Sequence, residues 1–247
     1  MGLPVGLAAW ILRIPFIIHE SDAVPGLTNR ILSRFTPYRL SGFDIDGFSN
    51  LGNPIRQSLL EPLELDRSTF SIESERPIVL ATGGSLGSRH LNDAVIGMAK
   101  MHDDFEIIHI YGGSRPADLP TFSHYHPYQF LTSEMAHALR LADVVVTRAG
   151  ANTLSELALL GKPSVVIPHP NLTGNHQSKN AQQWQDAIKL LPQSDLSAEK
   201  LHETVSAILD DSHERDRLQE VISSYSRPTA AADIADYIIS IKGGFNK

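Results

Sequence analysis

The chain has 247 residues, 42% of them hydrophobic, and a formal net charge of -7. This length suffices for one large or two small domains, and the acidic balance argues against a general nucleic-acid binder, whose surface would be basic. The chain contains no cysteine, which excludes disulfides, a cysteine nucleophile and a thiolate metal site. No apolar run approaches the roughly 20 residues of a membrane-spanning helix and no signal peptide is recognisable, a composition that permits a cytoplasmic location.

The first part of the chain, residues 1–56, opens with a helical pattern at residues 6–12, which is followed by a short apolar strand at 16–18. A helix is predicted at residues 27–34 and a further strand at 38–41. A βαβ sheet seldom begins with a helix that has no strand before it. We therefore expect the chain to start inside a domain.

Two segments of this first part differ from regular elements. His19 and Glu20 follow the first strand, at the end where open parallel sheets place ligand sites, although a purely solvated role is the alternative for this pair. The sequence GNPIR at residues 52–56 breaks the pattern, as a crossing between domains would. Residues 57–76 are charged and weakly periodic, and we interpret them as a linker with one loose helix.

A buried strand at residues 77–82 opens a second sheet and ends in the glycine-rich loop 83–89 (GGSLGSR). A helix at 91–101 follows, so backbone amides and the helix dipole could bind a phosphate, with Ser85 as a hydroxyl donor and Arg89 as added charge. The spacing matches neither GxGxxG nor a Walker loop. A purely structural glycine turn is the alternative.

The next segments predict a strand at residues 106–111, a short strand at 128–131 and a helix at 135–141. Between the strands lie two histidines, His124 and His126, a residue type that can bind metal. Because no carboxylate stands at helical spacing from them and a proline follows, we predict a surface loop there and no metal site.

The central unit of the chain is a strand at residues 144–146, a glycine turn and helix, and a second strand at 164–167. Such a unit belongs to a parallel sheet covered on both faces. Both of its polar loops, 148–156 and 169–180, leave from the carboxyl ends of strands, where ligands bind. Glu156 could accept two hydroxyls of a ribose there; the alternative is that it only complements the helix N-terminus.

Three helices are predicted at the end of the chain, at residues 197–209, 213–224 and 230–241. The last one carries an apolar stripe that we expect to pack on a neighbouring domain. A membrane-surface role is the weaker alternative, because few basic residues lie on the polar side of this helix. The stripe consists of Ile234, Tyr237, Ile238 and Ile241.

Five motifs together resemble the MurG family, and they span nearly the whole chain. They are HESDAVPGLTN (19–29), GNPIR (52–56), GGSLGSR (83–89), RAGANTLSE (148–156) and HQSKNA (176–181). The family transfers N-acetylglucosamine (GlcNAc) from UDP-GlcNAc to lipid I, giving lipid II in peptidoglycan synthesis. Family members carry a longer N-terminal region with a Gly-Gly-Thr-Gly-Gly-His loop, to which nothing in this chain corresponds, so we expect an N-terminally truncated member.

The resemblance implies an α/β protein with the GT-B glycosyltransferase fold, in which two Rossmann-like domains face a cleft. Residues 1–56 would be a remnant of the acceptor-side N-terminal domain, and residues 57–76 would be the linker. Residues 77–228 would form the complete C-terminal domain that binds UDP-GlcNAc. Residues 229–247 would be a helix that packs back on the first domain.

The resemblance also assigns roles to individual residues. Ser85 and the amides after it would hold the diphosphate with Arg56, and the backbone at Leu131 and Thr132 would recognise uracil. Glu156 would hold the ribose. Gln177, with His176, would recognise GlcNAc hydroxyls. The full substrate-binding set is Asp22, Arg56, Ser85, Leu131, Thr132, Met135, Ala151, Asn152, Thr153, Leu154, Ser155, Glu156, His176, Gln177 and Asn180.

The reaction implied is an inverting transfer that uses no metal and no cofactor, with the departing UDP stabilised electrostatically. It needs a general base, and the family's favoured candidate is the histidine of the N-terminal glycine loop. The catalytic residue is therefore unassigned here, and Glu20 and His19 are the candidates that the chain offers. Ser21 and Asp22 replace Gln and Asn of the family's His-Glu-Gln-Asn motif. We expect that the chain alone lacks its base, which would leave it inactive alone.

The expected partners are UDP-GlcNAc, the lipid-linked acceptor lipid I and a separate chain that supplies the N-terminal domain, but no nucleic acid. The expected location is the cytoplasm, peripheral to the inner face of the cell membrane. Three alternatives remain open: a donor-binding subunit of a two-chain glycosyltransferase, another UDP-sugar enzyme such as an epimerase, and a non-catalytic UDP-GlcNAc-binding module.

Overall fold

The computed structural model of the chain describes residues 2–170 and 173–244. It contains two parallel β-sheets, one of three strands and one of six, with helices packed around them. The smaller sheet is built from the first 50 residues and the larger one from residues 78–190. The α/β class with parallel sheets that the sequence predicts is therefore confirmed.

The first sheet consists of three short parallel strands in the order β1-β2-β3. It is accompanied by two helices, of which α1 precedes the first strand. The elements are α1 (Gly2–Ile11), β1 (Ile18–Glu20), α2 (Leu27–Leu32), β2 (Arg39–Ser41) and β3 (Ser49–Asn50). Strand β1 lies two residues later than expected, so His19 and Glu20 belong to the strand and not to the loop after it. The two-residue β3 was not predicted.

The second sheet has the strand order β6-β5-β4-β7-β8-β9, and all its strands are parallel. Its elements are β4 (Ile78–Thr82), α3 (Arg89–Met101), β5 (Glu106–Ile110), β6 (Tyr125–Tyr128), α4 (Met135–Leu141), β7 (Val144–Thr147), α5 (Ala151–Leu160), β8 (Ser164–Val166), α6 (His176–Gln183) and β9 (Lys189–Leu190). Three further helices follow, α7 (Ala198–Asp210), α8 (Ser212–Ser224) and α9 (Ala230–Gly244).

The second sheet is covered on both faces because alternate residues of its strands enter two separate hydrophobic cores. In β4, Ile78 and Leu80 belong to one core, and Val79 and Ala81 belong to the other. Helix α5 packs against α8 on one side, while α3 packs against α7 on the other. Continuous apolar strands are typical of such a doubly covered parallel sheet.

Two expectations about residues 123–131 are wrong. The strand is β6 at Tyr125–Tyr128, not a strand at 128–131. His124 and Tyr125 are buried rather than part of a surface loop. The His124 ring bonds the Ala99 carbonyl oxygen through Nε2 (3.0 Å), and the Tyr125 hydroxyl lies 2.7 Å from His109 Nδ1. Because these partners are distant in the sequence, the burial of His124 and Tyr125 depends on tertiary contacts.

The segment 57–76 also differs from the expectation of a single loose helix. It contains two short 3₁₀ helices, Gln57–Leu59 and Arg67–Phe70. Phe70 and Ile72 are buried in the core on one face of the second sheet. The segment therefore packs on that sheet. In the described parts of the chain, 2–170 and 173–244, no helix is both long and apolar enough to cross a membrane.

Candidate active site

Loops that follow three adjacent strands meet at one edge of the second sheet. β4 pairs with β7 through Thr82 and Thr147, and β7 pairs with β8 through Thr147 and Val166. Because the strands are parallel, their carboxyl ends lie at the same edge, which is where open α/β sheets bind ligands. The glycine loop 83–88, the start of α5 and the segment after β8 are therefore neighbours.

Positive backbone φ angles at glycines shape the loop after β4. Gly84 and Gly87 have φ of 80° and 71°, and a Cβ at Gly87 would lie only 2.2 Å from the Tyr111 carbonyl oxygen. Only glycine fits there without a backbone shift. Ser85 is exposed at the tip, and Ser88 caps the N-terminus of α3. The loop presents Ser85 beside a helix start, a geometry that suits a phosphate.

Arg148 is buried next to the glycine loop. Its Nη1 donates to the Ile167 carbonyl oxygen (3.0 Å), and its Nη2 donates to the side-chain oxygen of Gln193 (2.7 Å) and to the hydroxyl of Ser88. Burial lowers the pKa of Arg148. Since these partners are neutral, the guanidinium adds positive potential beside the loop while it ties together the segments that follow β4, β7 and β8.

Glu156 and Arg56 form an ion pair between the second sheet and the segment that crosses from the first. Glu156 is only 8% exposed, and its Oε1 accepts a hydrogen bond from Arg56 Nε at 2.7 Å. Burial raises the pKa of Glu156, and Arg56 opposes this rise. The family resemblance assigns Glu156 to the ribose and Arg56 to the diphosphate. In the structure they are in direct contact.

The first turn of α5 holds the other residues expected from the RAGANTLSE motif. Ala151 is buried, Asn152 is exposed and Thr153 is half-buried. Leu154 is fully buried in the core, and its amide donates to the Gly150 carbonyl oxygen (3.0 Å). Its side chain and its amide are thus both engaged within the protein, and its role in substrate binding stays a prediction.

Asn53, which the sequence analysis did not single out, links the crossing segment to α5. Its Nδ2 donates to the Ser21 carbonyl oxygen (3.0 Å) and to the hydroxyl of Ser155 (3.3 Å), which itself donates to the Ala151 carbonyl oxygen (3.0 Å). Ser155 is thus bonded within the protein. The only sequence signal for Asn53 is its place inside GNPIR.

Asn180 joins the two sheets. It is fully buried, and its Oδ1 accepts from the Ala23 amide (2.7 Å), while its Nδ2 donates to Asp22 Oδ1 (2.8 Å) and to the Ala149 carbonyl oxygen (3.0 Å). One side chain therefore fixes the loop after β1 against the loop after β7. This places Asp22, a residue of the first sheet, at the edge of the second.

The start of α6 carries His176 and Gln177. His176 Nδ1 lies 3.9 Å from Asp22 Oδ2, and Gln177 Oε1 accepts from the His169 amide at 2.9 Å. The structure thus brings Asp22, His176, Gln177 and Asn180 together. Residues 171 and 172, which belong to the predicted 169–180 site loop, lie outside the described residues.

The two candidates for a general base are held in structural contacts. Glu20 Oε2 accepts from the Gly26 amide and from Asn29 Nδ2, both at 2.9 Å. His19 Nε2 lies 3.0 Å from the Gly52 carbonyl oxygen. Because a carbonyl only accepts, this nitrogen carries the proton and cannot take one up. The Glu20 side chain thus holds the segment after β1, and the His19 side chain contacts the crossing segment.

The residues expected near uracil follow β6. Leu131 and Met135 are half-buried against the core, and Thr132 is exposed. Beside them stands Phe130, whose side chain is 53% exposed and which the sequence analysis did not single out. The signal that could have found it is an aromatic residue directly before the predicted uracil-recognising backbone.

A buried polar network supports the glycine loop from behind. His109 bonds Tyr125 through Nδ1 (2.7 Å) and the Asn92 side-chain oxygen through Nε2 (3.1 Å). Asn92 in turn donates to the carbonyl oxygens of Tyr111 (3.1 Å) and Ser114 (2.9 Å). Burial lowers the pKa of His109 to about 4. A neutral histidine therefore holds the segment against which Gly87 packs.

Comparison with known proteins assigns both parts of the chain. Residues 78–236 match the glycosyltransferase family 28 C-terminal domain, and residues 1–37 match the glycosyltransferase family 28 N-terminal domain. The first match contains the whole of the large sheet, and the second contains α1, β1 and α2 of the smaller region.

A curated relative from Psychromonas ingrahamii, named UDP-N-acetylglucosamine--N-acetylmuramyl-(pentapeptide) pyrophosphoryl-undecaprenol N-acetylglucosamine transferase, is 36% identical over 96% of this chain and 68% of its own length. The crystal structure of Acinetobacter baumannii MurG is similar with a TM-score of 0.73 and 28% identity, over 96% of this chain and 70% of that one. The UDP-GlcNAc 2-epimerase from Neisseria meningitidis, at a TM-score of 0.63 and 13% identity over 96% of this chain and 73% of that one, shares the fold alone. The two-domain GT-B fold is thus confirmed, and the chain belongs to the MurG family of glycosyltransferases.

Proposed function

We propose that this chain binds UDP-GlcNAc at the carboxyl edge of its second sheet and transfers GlcNAc to a lipid-linked acceptor of the kind named for its relatives. The observation that carries this proposal is the ion pair of the buried Glu156 with the exposed Arg56, which lies at the same sheet edge as the exposed glycine loop. A carboxylate for a ribose diol and a helix start for a diphosphate are the two parts that a nucleoside diphosphate needs.

The diphosphate lies at the tip of the glycine loop in this proposal. Ser85 donates its hydroxyl there, and the α3 N-terminus contributes its dipole. The guanidinium of Arg148 contacts Ser88 of the loop, and we assign a second guanidinium to the diphosphate, that of Arg56, which is 44% exposed. Positive charge held in place before the reaction stabilises a departing UDP without reorganisation.

The ribose is bound by Glu156. Its Oε1 is occupied by Arg56, and no described residue bonds its Oε2. Burial raises the pKa of this carboxylate. When the nucleotide binds, hydrogen bonds from two ribose hydroxyls stabilise the ionised form of Glu156. The uracil lies over the segment after β6, where Leu131 and Thr132 offer backbone groups and Phe130 offers an exposed ring for stacking.

The GlcNAc ring lies against the start of α6, where His176 and Gln177 supply polar side chains. Asp22 reaches the same place from the first sheet, so the acceptor enters from that side. Its hydroxyl attacks the anomeric carbon, the bond from that carbon to the UDP oxygen breaks, and the configuration inverts. The general base stays unassigned, since Glu20 and His19 are both engaged in structural hydrogen bonds.

The acceptor is lipid-linked, so we propose that the protein works at the inner face of the cell membrane as a peripheral protein. Large apolar side chains on and after α1 support this proposal, because Trp10, Ile11 and Leu12 are at least half exposed. An exposed apolar cluster of this kind is typical of an interaction surface.

Calorimetry with UDP and UDP-GlcNAc tests the donor site. Glu156→Gln removes the charge but keeps the shape, and loss of hydrogen bonds to a charged group predicts affinity about 10- to 100-fold weaker for both ligands. Glu220→Gln on the exposed surface of α8 is the matched control and should bind as the parent does. Equal affinity of the Glu156 variant and the parent would refute the ribose role.

A transfer assay separates this function from its alternatives. Radiolabelled UDP-GlcNAc and a lipid I analogue are incubated with the chain alone, and in parallel with the chain plus the N-terminal domain of a relative. A labelled disaccharide lipid supports the proposal. Product only in the second mixture indicates a donor-binding subunit, epimerised sugar nucleotide indicates an epimerase, and binding with no product in either mixture indicates a non-catalytic module.

A further inference from the structure

Three side chains with metal-ligating atoms meet at the end of the second sheet that lies opposite the glycine loop. His102 follows the last turn of α3, Asp104 precedes β5, and His202 lies on α7. Their ligating atoms all lie within 4.8 Å of one another. His102 and His202 are far apart in the sequence, so only the packing of α3 on α7 brings them together.

The contacts within this cluster are close. His202 Nε2 lies 2.7 Å from Asp104 Oδ2, and the rings of His102 and His202 stack with centroids 3.5 Å apart and an interplanar angle of 11°. The packing of α3 on α7 thus brings ring nitrogens of both histidines and a carboxylate oxygen to one place. A neutral imidazole with a free lone pair is the form that binds a metal.

The local charge also favours a cation. Glu199 lies one turn before His202 on α7. Its carboxylate is close enough to His102 to interact with it electrostatically. Two carboxylates, from Asp104 and Glu199, thus stand beside two imidazoles. Nitrogen and oxygen ligands in this mixture suit Zn²⁺.

The distances are compatible with a zinc ion once one of the two stacked rings turns, because the in-plane lone pairs of parallel rings do not converge on one ion. Zinc binds histidine nitrogen at about 2.0–2.1 Å and carboxylate oxygen at about 2.0–2.2 Å, so tetrahedral ligand atoms stand roughly 3.3 Å apart. The separations in the cluster run from 2.7 Å up to the 4.8 Å limit and bracket that value. The Asp104 side chain is 59% exposed and is therefore free to turn.

We propose that His102, Asp104 and His202 bind a zinc ion, with Glu199 or water as the fourth ligand. The ion joins the end of α3 to α7. Because α3 begins at the glycine loop, this clamp fixes the far end of the helix whose N-terminus faces the donor site. The site is structural and takes no part in the transfer.

Titration of the metal-free full chain with Zn²⁺, followed by calorimetry, tests this inference. We expect one tight site per chain and a higher melting temperature with zinc. His202→Ala should weaken the affinity at least about 100-fold, since even changes beyond the direct ligands cost 10- to 100-fold. Cobalt(II) added in place of zinc should give the visible absorption bands of a tetrahedral ion in the parent but not in this variant.

Matched variants keep the result interpretable. His213→Ala removes an exposed histidine of α8 and should bind zinc as the parent does. Asp104→Asn changes an exposed residue, so this variant should fold normally, as judged by circular dichroism. It should nevertheless bind zinc more weakly than the parent does. No zinc binding by the parent would overturn the inference, and so would equal binding by the parent and His202→Ala. Losses of similar size in all variants, His213→Ala included, would show diffuse histidine binding and overturn it too.

Discussion

The two sheets of this protein are built by the same strand–helix rule but differ in how completely they are covered. Strands β4, β5 and β7 are buried along their whole length, and their side chains feed two cores. The first sheet has strands of two or three residues, and in α1 the only buried described residue is Gly6. Several large apolar side chains of that helix face outward.

This difference separates the tasks of the two regions. A sheet with two packed faces holds its loops in fixed positions, which suits a donor site made of backbone amides and a few side chains. The first region is joined to the second by the polar bonds of Asn180 to Asp22 and Ala23, and by the apolar side chains of Ala23 and Phe43, which belong to the core on one face of the second sheet.

The largest effect should come from equal cavities made in the two sheets. Leu80 in β4 and Leu40 in β2 are both 0% exposed. We expect Leu80→Ala to lower the free energy of unfolding by about 3–5 kcal/mol and Leu40→Ala by about 2–3 kcal/mol. The smaller value is expected for Leu40 because the short strands around it can collapse further into the cavity. Urea unfolding measures both values. Equal losses would show that the first sheet is packed as rigidly as the second.

The bonds between the sheets should show the next largest effect. Asn180→Ala leaves the Ala23 amide and the Ala149 carbonyl without partners in a buried place, which should cost about 2–4 kcal/mol. Hydrogen exchange should rise in residues 20–26 and stay unchanged in β4. Gln183→Ala, which removes a more exposed bond to the Asp44 carbonyl, is the control and should cost under about 1 kcal/mol. Unchanged exchange in residues 20–26 would refute the role of Asn180 as the link.

A smaller effect, dependent on pH, should come from His109 in the second sheet. Its pKa is about 4, below its ordinary value of 6.5, so the unfolded chain takes up a proton first as the pH falls. The stability that neutral His109 provides is therefore complete above pH 6.5 and is lost progressively between pH 6.5 and 4. Between about pH 7.5 and about pH 5.5 the parent should lose about 1 kcal/mol more than His109→Gln. Equal losses in urea unfolding at the two pH values would contradict the buried neutral state.

The smallest effect on stability is expected on the exposed face of the first region. Leu12→Ser changes a side chain that is 67% exposed and should alter the free energy of unfolding by no more than about 0.5 kcal/mol. It should nevertheless reduce binding to vesicles of anionic lipid, measured by cosedimentation. Thr229→Ser, at an exposed position before α9, serves as the control. Unchanged vesicle binding by the Leu12 variant would remove this face from the proposed membrane contact.

Much of the second sheet could be predicted from the sequence because its signals are local. Apolar runs predict the buried strands β4, β5, β7 and β8. Glycine turns predict the helix starts after β4 and β7. Strand β6 was misplaced because Tyr125 and His126 are polar in sequence, and their burial depends on distant partners, His109 and Glu106. Contacts between residues this far apart in the chain cannot be predicted from the local hydrophobic pattern.

The sequence by itself determined the parallel α/β class, the glycine loop and the family, and it predicted Glu156 as the carboxylate of the donor site. Only the tertiary structure decided that Arg56 lies on Glu156, that Asn53 and Asn180 tie the sheets together and that His102 meets His202. The physical reason is the range of the interactions. Hydrophobic periodicity and turn geometry act between residues close in the chain, whereas buried polar contacts are set by which loops the finished sheets bring to one edge.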